Sequence, residues 1–241
     1  MREANVTEMR SAEVEIPEEP GEKLLAKARQ YPPSGFTAAL GAGLAVLIGI
    51  GSVAHDAVAF PGPLLRVLTQ LASSGLGYVM IAVLVGWFSR SWRVAAGVAS
   101  GAILGALLIY YGATVVCNLR PSGGGTELAR IAIVWIILGL ACGVIVGPTA
   151  FFAHYGNLPQ RSIATGLPLG LILGPAAASI FSGVDLRSPE ILAVVLVTVA
   201  IPCVGLLISL RRTRPALLLA STLTGTILAG GLFLIVYTLY Y

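Results

Sequence analysis

His55-Asp56, Tyr110-Tyr111, Asp185 and Arg187 are the residues of this chain whose types and placement come nearest to a site. Each lies at or just beyond the end of a long apolar run, never in the middle of one. A carboxylate, a guanidinium and two phenols gathered at one end of a helical bundle would form a vestibule for a small zwitterionic or polar solute. Asp56, Tyr110, Tyr111, Asp185 and Arg187 are the residues expected to line it, with His55, Arg120 and Glu190 nearby. The tyrosines also suit a plain aromatic belt at a membrane surface.

Other chemistries find little support. Proton- and ion-coupled transport places ionisable groups at membrane depth, and the centres of the apolar runs hold essentially none. His55 and His154 end opposite sides of the bundle, about 30 Å of hydrocarbon apart, so they do not share a metal. Cys117, Cys142 and Cys203 have no ligand or disulfide spacing and read as small packing residues. The Gly123-Gly124-Gly125 loop lacks the Lys-Ser/Thr of a phosphate cradle, and no Gly-x-Ser-x-Gly elbow occurs. We therefore expect no catalytic residue, no cofactor and no enzyme. A membrane enzyme acting on lipid-linked substrates would need Asp185 and Glu190 to converge, and nothing in the sequence makes them do so.

The elements that would position these residues follow from composition. Of 241 residues, 56% are hydrophobic and 11% charged, and mean hydropathy is +0.89. A soluble domain carries about 25% charged residues. Apolar runs of about 20 residues recur along most of the length, which defines a polytopic membrane protein. The expected architecture is all-α, with spans at 36–54, 67–88, 94–116, 131–153, 163–183, 191–210 and 216–240. Residues 1–35 form a disordered acidic tail, holding seven of the eleven acids and broken by Pro17, Pro20, Pro32 and Pro33. The segment 55–66 is open to two readings, a loop or a re-entrant piece.

Orientation follows from counting Lys and Arg. With the N-terminus inside, eleven cations fall on the cytoplasmic side and four outside. This predicts a plasma (inner) membrane protein with its C-terminus outside. Asp56, Glu127, Asp185 and Glu190 then all lie outside. Apart from the tail, the inner face is purely basic, so anionic lipids are its expected partner. Singly spaced arginines give no nucleic-acid signature, whereas a second copy or another membrane protein remains a compatible partner.

One decapeptide pattern occurs twice. Gly139, Gly143 and Gly147-Pro148 are followed 27 positions later by Gly166, Gly170 and Gly174-Pro175. A four-residue interval lays each set along one helix stripe, where another backbone can approach closely. The expectation is that the two stripes lie on adjacent antiparallel helices at the bundle centre. Gly97, Gly101 and Gly105 would be the third member. The same repeat could also mark an inverted-repeat transporter, with Gly-Pro as the helix breaks, but no copy of spans one to three is found elsewhere.

Leu71-Ala72-Ser73-Ser74-Gly75, the small-residue third span ending in Tyr110-Tyr111-Gly112, and Trp135 with Gly139, Gly143 and Gly147-Pro148 resemble an uncharacterised family of bacterial multi-pass membrane proteins, a domain of unknown function. The resemblance covers about half the chain. It implies an integral membrane protein and no catalytic residue. The function expected is a membrane role without chemistry. The alternative is a small-solute permease or substrate-binding subunit, with a site between spans three and five open to the outer face.

Overall fold

The computed structural model describes residues 34–57, 62–119, 125–181 and 189–240. The tail to residue 33, the turn at Phe60-Pro61, the loop at 120–124, and Asp185 and Arg187 lie outside the described residues. By its contacts the chain divides into Met1–Tyr31 and Pro32–Tyr241, and every described residue belongs to the second unit.

Among the described residues there are eight helices and no strand: α1 Ser34–Ala57, α2 Pro63–Ser73, α3 Gly75–Trp87, α4 Trp92–Val116, α5 Gly125–Tyr155, α6 Leu158–Phe181, α7 Pro189–Leu210 and α8 Pro215–Tyr240. Their ends are set by ordinary helix chemistry. Pro63, Pro189 and Pro215 occupy first helical positions, where the missing N–H costs nothing. Ser91 caps α4 by accepting from the Val94 N–H. Asn157 and Gln160 cap α6 reciprocally, each side chain taking the other's backbone N–H at 3.1 Å. Asn118, at φ 49°, ends α4 in a left-handed turn that returns the Leu119 N–H to the Thr114 carbonyl.

Five helices are long and apolar enough to cross a membrane: α1, α4, α5, α7 and α8. The second run is the principal difference from the sequence expectation. It is not one helix but two, α2 and α3, bent by 66° at Ser74, and the pair counts as a sixth crossing if taken as one span. α6 has 24 residues with Pro168 and Pro175 inside and is not among the five. The chain is thus a multi-pass membrane protein by its apolar helices. α5, with 31 residues, is about 46 Å long and overshoots a bilayer core of about 30 Å.

The hydrophobic core joins α1, α3, α4 and α5 around Ala45, Val79, Ile81, Ala82, Val85, Ala99, Ile103 and Val146. Short α3 is the central helix, burying Leu76, Gly77, Val79, Ile81, Ala82, Val85 and Gly86 on all its sides. Large exposed residues such as Leu47, Leu108, Ile137, Leu196, Leu223 and Ile227 lie on the outer faces, where lipid is the natural solvent.

The glycine stripes correct a second expectation. Gly139, Gly143 and Gly147 face α4, not α6. A Cβ on Gly143 would lie 2.5 Å from the Ser100 Cα, and one on Gly147 would lie 2.6 Å from the Ala95 carbonyl oxygen. Gly86 of α3 meets the Gly147 carbonyl, so three backbones converge there. Gly166, Gly170 and Gly174 face α8 instead, against Ser221, the Thr222 carbonyl and Gly230. The two copies therefore close two separate seams. Gly97 and Gly101 join neither, because nothing lies within 4 Å of a Cβ at either position, and Gly105 meets only the Ala45 methyl at 3.5 Å. On α4 it is Ala95, Ala99 and Ser100 that face the α5 glycines.

Candidate functional site

One cluster of polar groups forms where the second span breaks. On α1, a four-residue rhythm of small residues turns Thr37, Gly41, Ala45, Gly49 and then Ser52 inward. Gly41 and Gly49 let α4 approach, with a Cβ on Gly49 lying 2.9 Å from the Ile109 side chain. One turn further on, the same stripe carries Asp56.

Breaking a helix strands its last carbonyls, and inside an apolar bundle they must find donors. Ser74 solves part of this. In extended conformation (φ −81°, ψ 162°), it ends α2 and starts α3. Its hydroxyl donates to the Leu71 carbonyl at 2.6 Å, and its N–H reaches the same oxygen at 3.3 Å. The Ala72 carbonyl is reached from the neighbouring helix. Ser52, only 1% exposed, shares its hydroxyl hydrogen between the Ile48 carbonyl at 2.9 Å and the Ala72 carbonyl at 3.3 Å. Tyr78, one turn into α3, places its hydroxyl in the neighbourhood of Ser52. Gly77 is required beneath the bend, since a Cβ there would lie 2.7 Å from the Ala72 oxygen. Gly51 does the same against the Ala72 methyl, at 2.9 Å.

Above the break, the Tyr110 hydroxyl donates to the Asp56 carboxylate at 2.6 Å, joining α1 to α4 across 54 residues of sequence. Tyr111 packs edge-on against Tyr110, with ring centroids 4.9 Å apart. Of the five expected vestibule residues, Asp56, Tyr110 and Tyr111 thus come together. Asp185 and Arg187 lie outside the described residues. Sequence reasoning missed Ser52, Gly77 and Tyr78. The available signal was a pair of serines and a glycine inside an otherwise apolar run, with Ser52 one turn from Asp56.

The seam between α4 and α5 is a poor home for a solute. Along Gly139, Gly143 and Gly147 there is no room for even a methyl group. The α6–α8 seam is equally tight, and its Ser221, Thr222 and Thr226 hydroxyls return to carbonyls of their own helix at 2.8 to 2.9 Å. Among the described residues no three His, Cys, Asp or Glu side chains gather as metal ligands would. No curated protein and no solved structure matches the chain. The model of a family of unknown function (DUF6518) matches residues 33–240, a range that takes in all eight described helices, and the chain belongs to that family.

Proposed function

We propose that this is a non-enzymatic membrane protein that binds, and passes, a small polar solute at the broken second span. In this reading the chain crosses the inner membrane seven times, counting α2–α3 and α6. Its N-terminus is cytoplasmic and its C-terminus outside. The site opens to the outer face between α1, α2–α3 and α4, one interface away from the site between spans three and five expected from the sequence.

The observation that supports this most is the break itself. Discontinuous helices in membrane transporters expose backbone carbonyls to bound solutes. Here such a break, at Ala72–Ser74, is held by Ser52, one helical turn from an Asp56 carboxylate bonded to Tyr110. Hydroxyls, carbonyls and one carboxylate favour a solute carrying an ammonium group, cationic or zwitterionic.

The test is thermal unfolding of the purified full-length chain against alanine, choline and lactate as zwitterionic, cationic and anionic probes. We expect alanine or choline to raise the melting temperature and Asp56→Asn to remove the shift. No shift with any probe would leave the second reading, a membrane protein without a transported solute, and an unchanged shift in Asp56→Asn would move the solute away from the broken span. The backbone-tight α4–α5 and α6–α8 seams favour that second reading.

A further inference from the structure

A different part of the molecule carries a separate inference. Three chain connections meet at one end of the bundle. Thr37 of α1 donates to the Phe88 carbonyl at 3.1 Å, which places the start of α1 beside the end of α3. The Trp87 ring lies 4.5 Å from that of His154, so the ends of α3 and α5 touch. The Arg214 N–H donates to Ser162 at 2.9 Å, which draws the α7–α8 connection against the start of α6. Six arginines ride on these connections: Arg90, Arg93, Arg161, Arg211, Arg212 and Arg214, all exposed. The three arginine-bearing connections thus share one end of the bundle.

No carboxylate accompanies them among the described residues. Asp56, Glu127 and Glu190 belong to the opposite ends of α1, α5 and α7. The opposite end has its own cations, Arg66 and Arg130, but shares them with those acids. Among the described residues, then, only one end of the bundle offers an anion cations without carboxylates beside them.

The surroundings specify what kind of anion. Phe36, Trp87, Phe88 and Trp92 are all partly exposed at this same level. Amphipathic aromatic rings of this sort sit at lipid headgroup depth. The Arg93 guanidinium stands 5.3 Å over the Trp92 ring, which seats a cation at that depth. Arg161 spends one N–H on the His154 carbonyl, at 3.1 Å, and a guanidinium has five. Guanidinium forks match phosphate oxygens in pairs.

We propose that this end of the bundle is a docking surface for anionic phospholipid headgroups, whose phosphates are held by Arg161, Arg211, Arg212 and Arg214 and whose glycerol level is set by Trp87 and Trp92. It does not depend on the solute reading above.

The experiment places the full-length protein in bilayer discs of mixed phosphatidylcholine and phosphatidylglycerol, and measures the lipids that stay bound on transfer to detergent. We expect several-fold enrichment of phosphatidylglycerol, falling as salt rises. Arg211→Gln/Arg212→Gln/Arg214→Gln should lose most of it, while Arg66→Gln/Arg130→Gln should keep it. The salt series on the unaltered chain gives a measure that needs no variant to fold. Equal retention of the two lipids, enrichment indifferent to salt, or the same loss in the Arg66/Arg130 pair would each overturn the proposal.

Discussion

A glycine in a membrane helix has meaning only through what it faces. Gly101 and Gly143 illustrate this, because both sit in Gly-xxx-Gly stripes and the sequence treats them alike. Gly143 lies against the Ser100 backbone, whereas Gly101 has open space. Alanine is the better helix former by about 1 kcal/mol. At Gly101 nothing opposes that gain, so Gly101→Ala should leave the melting temperature unchanged or raise it. At Gly143 the new methyl must force α4 and α5 apart, and overpacking of this kind costs about 1 to 3 kcal/mol. Gly143→Ala should therefore lower the melting temperature of the purified protein. Equal behaviour of the two variants would mean that the α4–α5 seam is looser than its backbone contacts require. Ser52 offers a second residue-level test. Ser52→Ala removes the donor to Ala72. Interhelical hydrogen bonds in membranes contribute about 1 kcal/mol, so a modest loss of thermal stability is expected. Full retention would show that the Ala72 carbonyl finds another donor.

At the scale of elements, the apolar runs were legible and their partners were not. Hydropathy marks where a helix can cross, because it sums over about 20 residues. It cannot see a bend, which depends on a few local bonds. Ser73-Ser74 reads equally well as two hydroxyls bonded back within a continuous helix, as Thr69 in fact is, to Leu65 and Arg66. Only the extended Ser74 backbone and the Ser52 bond distinguish the break. Of the candidate site, Asp56 and Tyr110 were readable as polar residues at span ends, but their pairing across α1 and α4 was not. Likewise the four-residue glycine interval fixes which face of α6 is bare but not that α8 fills it. The α6–α8 seam should be as unforgiving as the α4–α5 seam. A Cβ on Gly170 would meet the Thr222 carbonyl and lie 2.8 Å from the Thr226 nitrogen, so no rotamer change can relieve a new side chain. Gly170→Leu is expected to cost more than about 3 kcal/mol, read as loss of the monodisperse peak in gel filtration. The same substitution at Gly97, which faces open space, should leave that peak intact.

For the molecule as a whole, the seven crossings proposed above rest on where the helix ends meet. α1 starts at the arginine-rich end, beside the end of α3, and α5 ends there. α6 and α8 both start there, joined by Ser162 and Arg214. For α7 to end beside the start of α8, α6 must first carry the chain to the opposite end, and at 24 residues it is about 36 Å long, enough to do so. The C-terminus of α8 then lies opposite the start of α1. In the proposed orientation that first end is cytoplasmic, and the chain's own cysteines can check this without any engineered reporter. Cys117 is exposed at the C-terminal end of α4, opposite the arginine-rich end. Cys142 and Cys203 lie within the spans α5 and α7, where a charged, membrane-impermeant maleimide does not reach. Spheroplasts expressing the protein should therefore take up that reagent at one site, and Cys117→Ser should abolish the labelling. Labelling that appears only after the membrane is opened would reverse the orientation. It would put the arginine-rich end outside, and with it the break at Ser74 would open toward the cytoplasm.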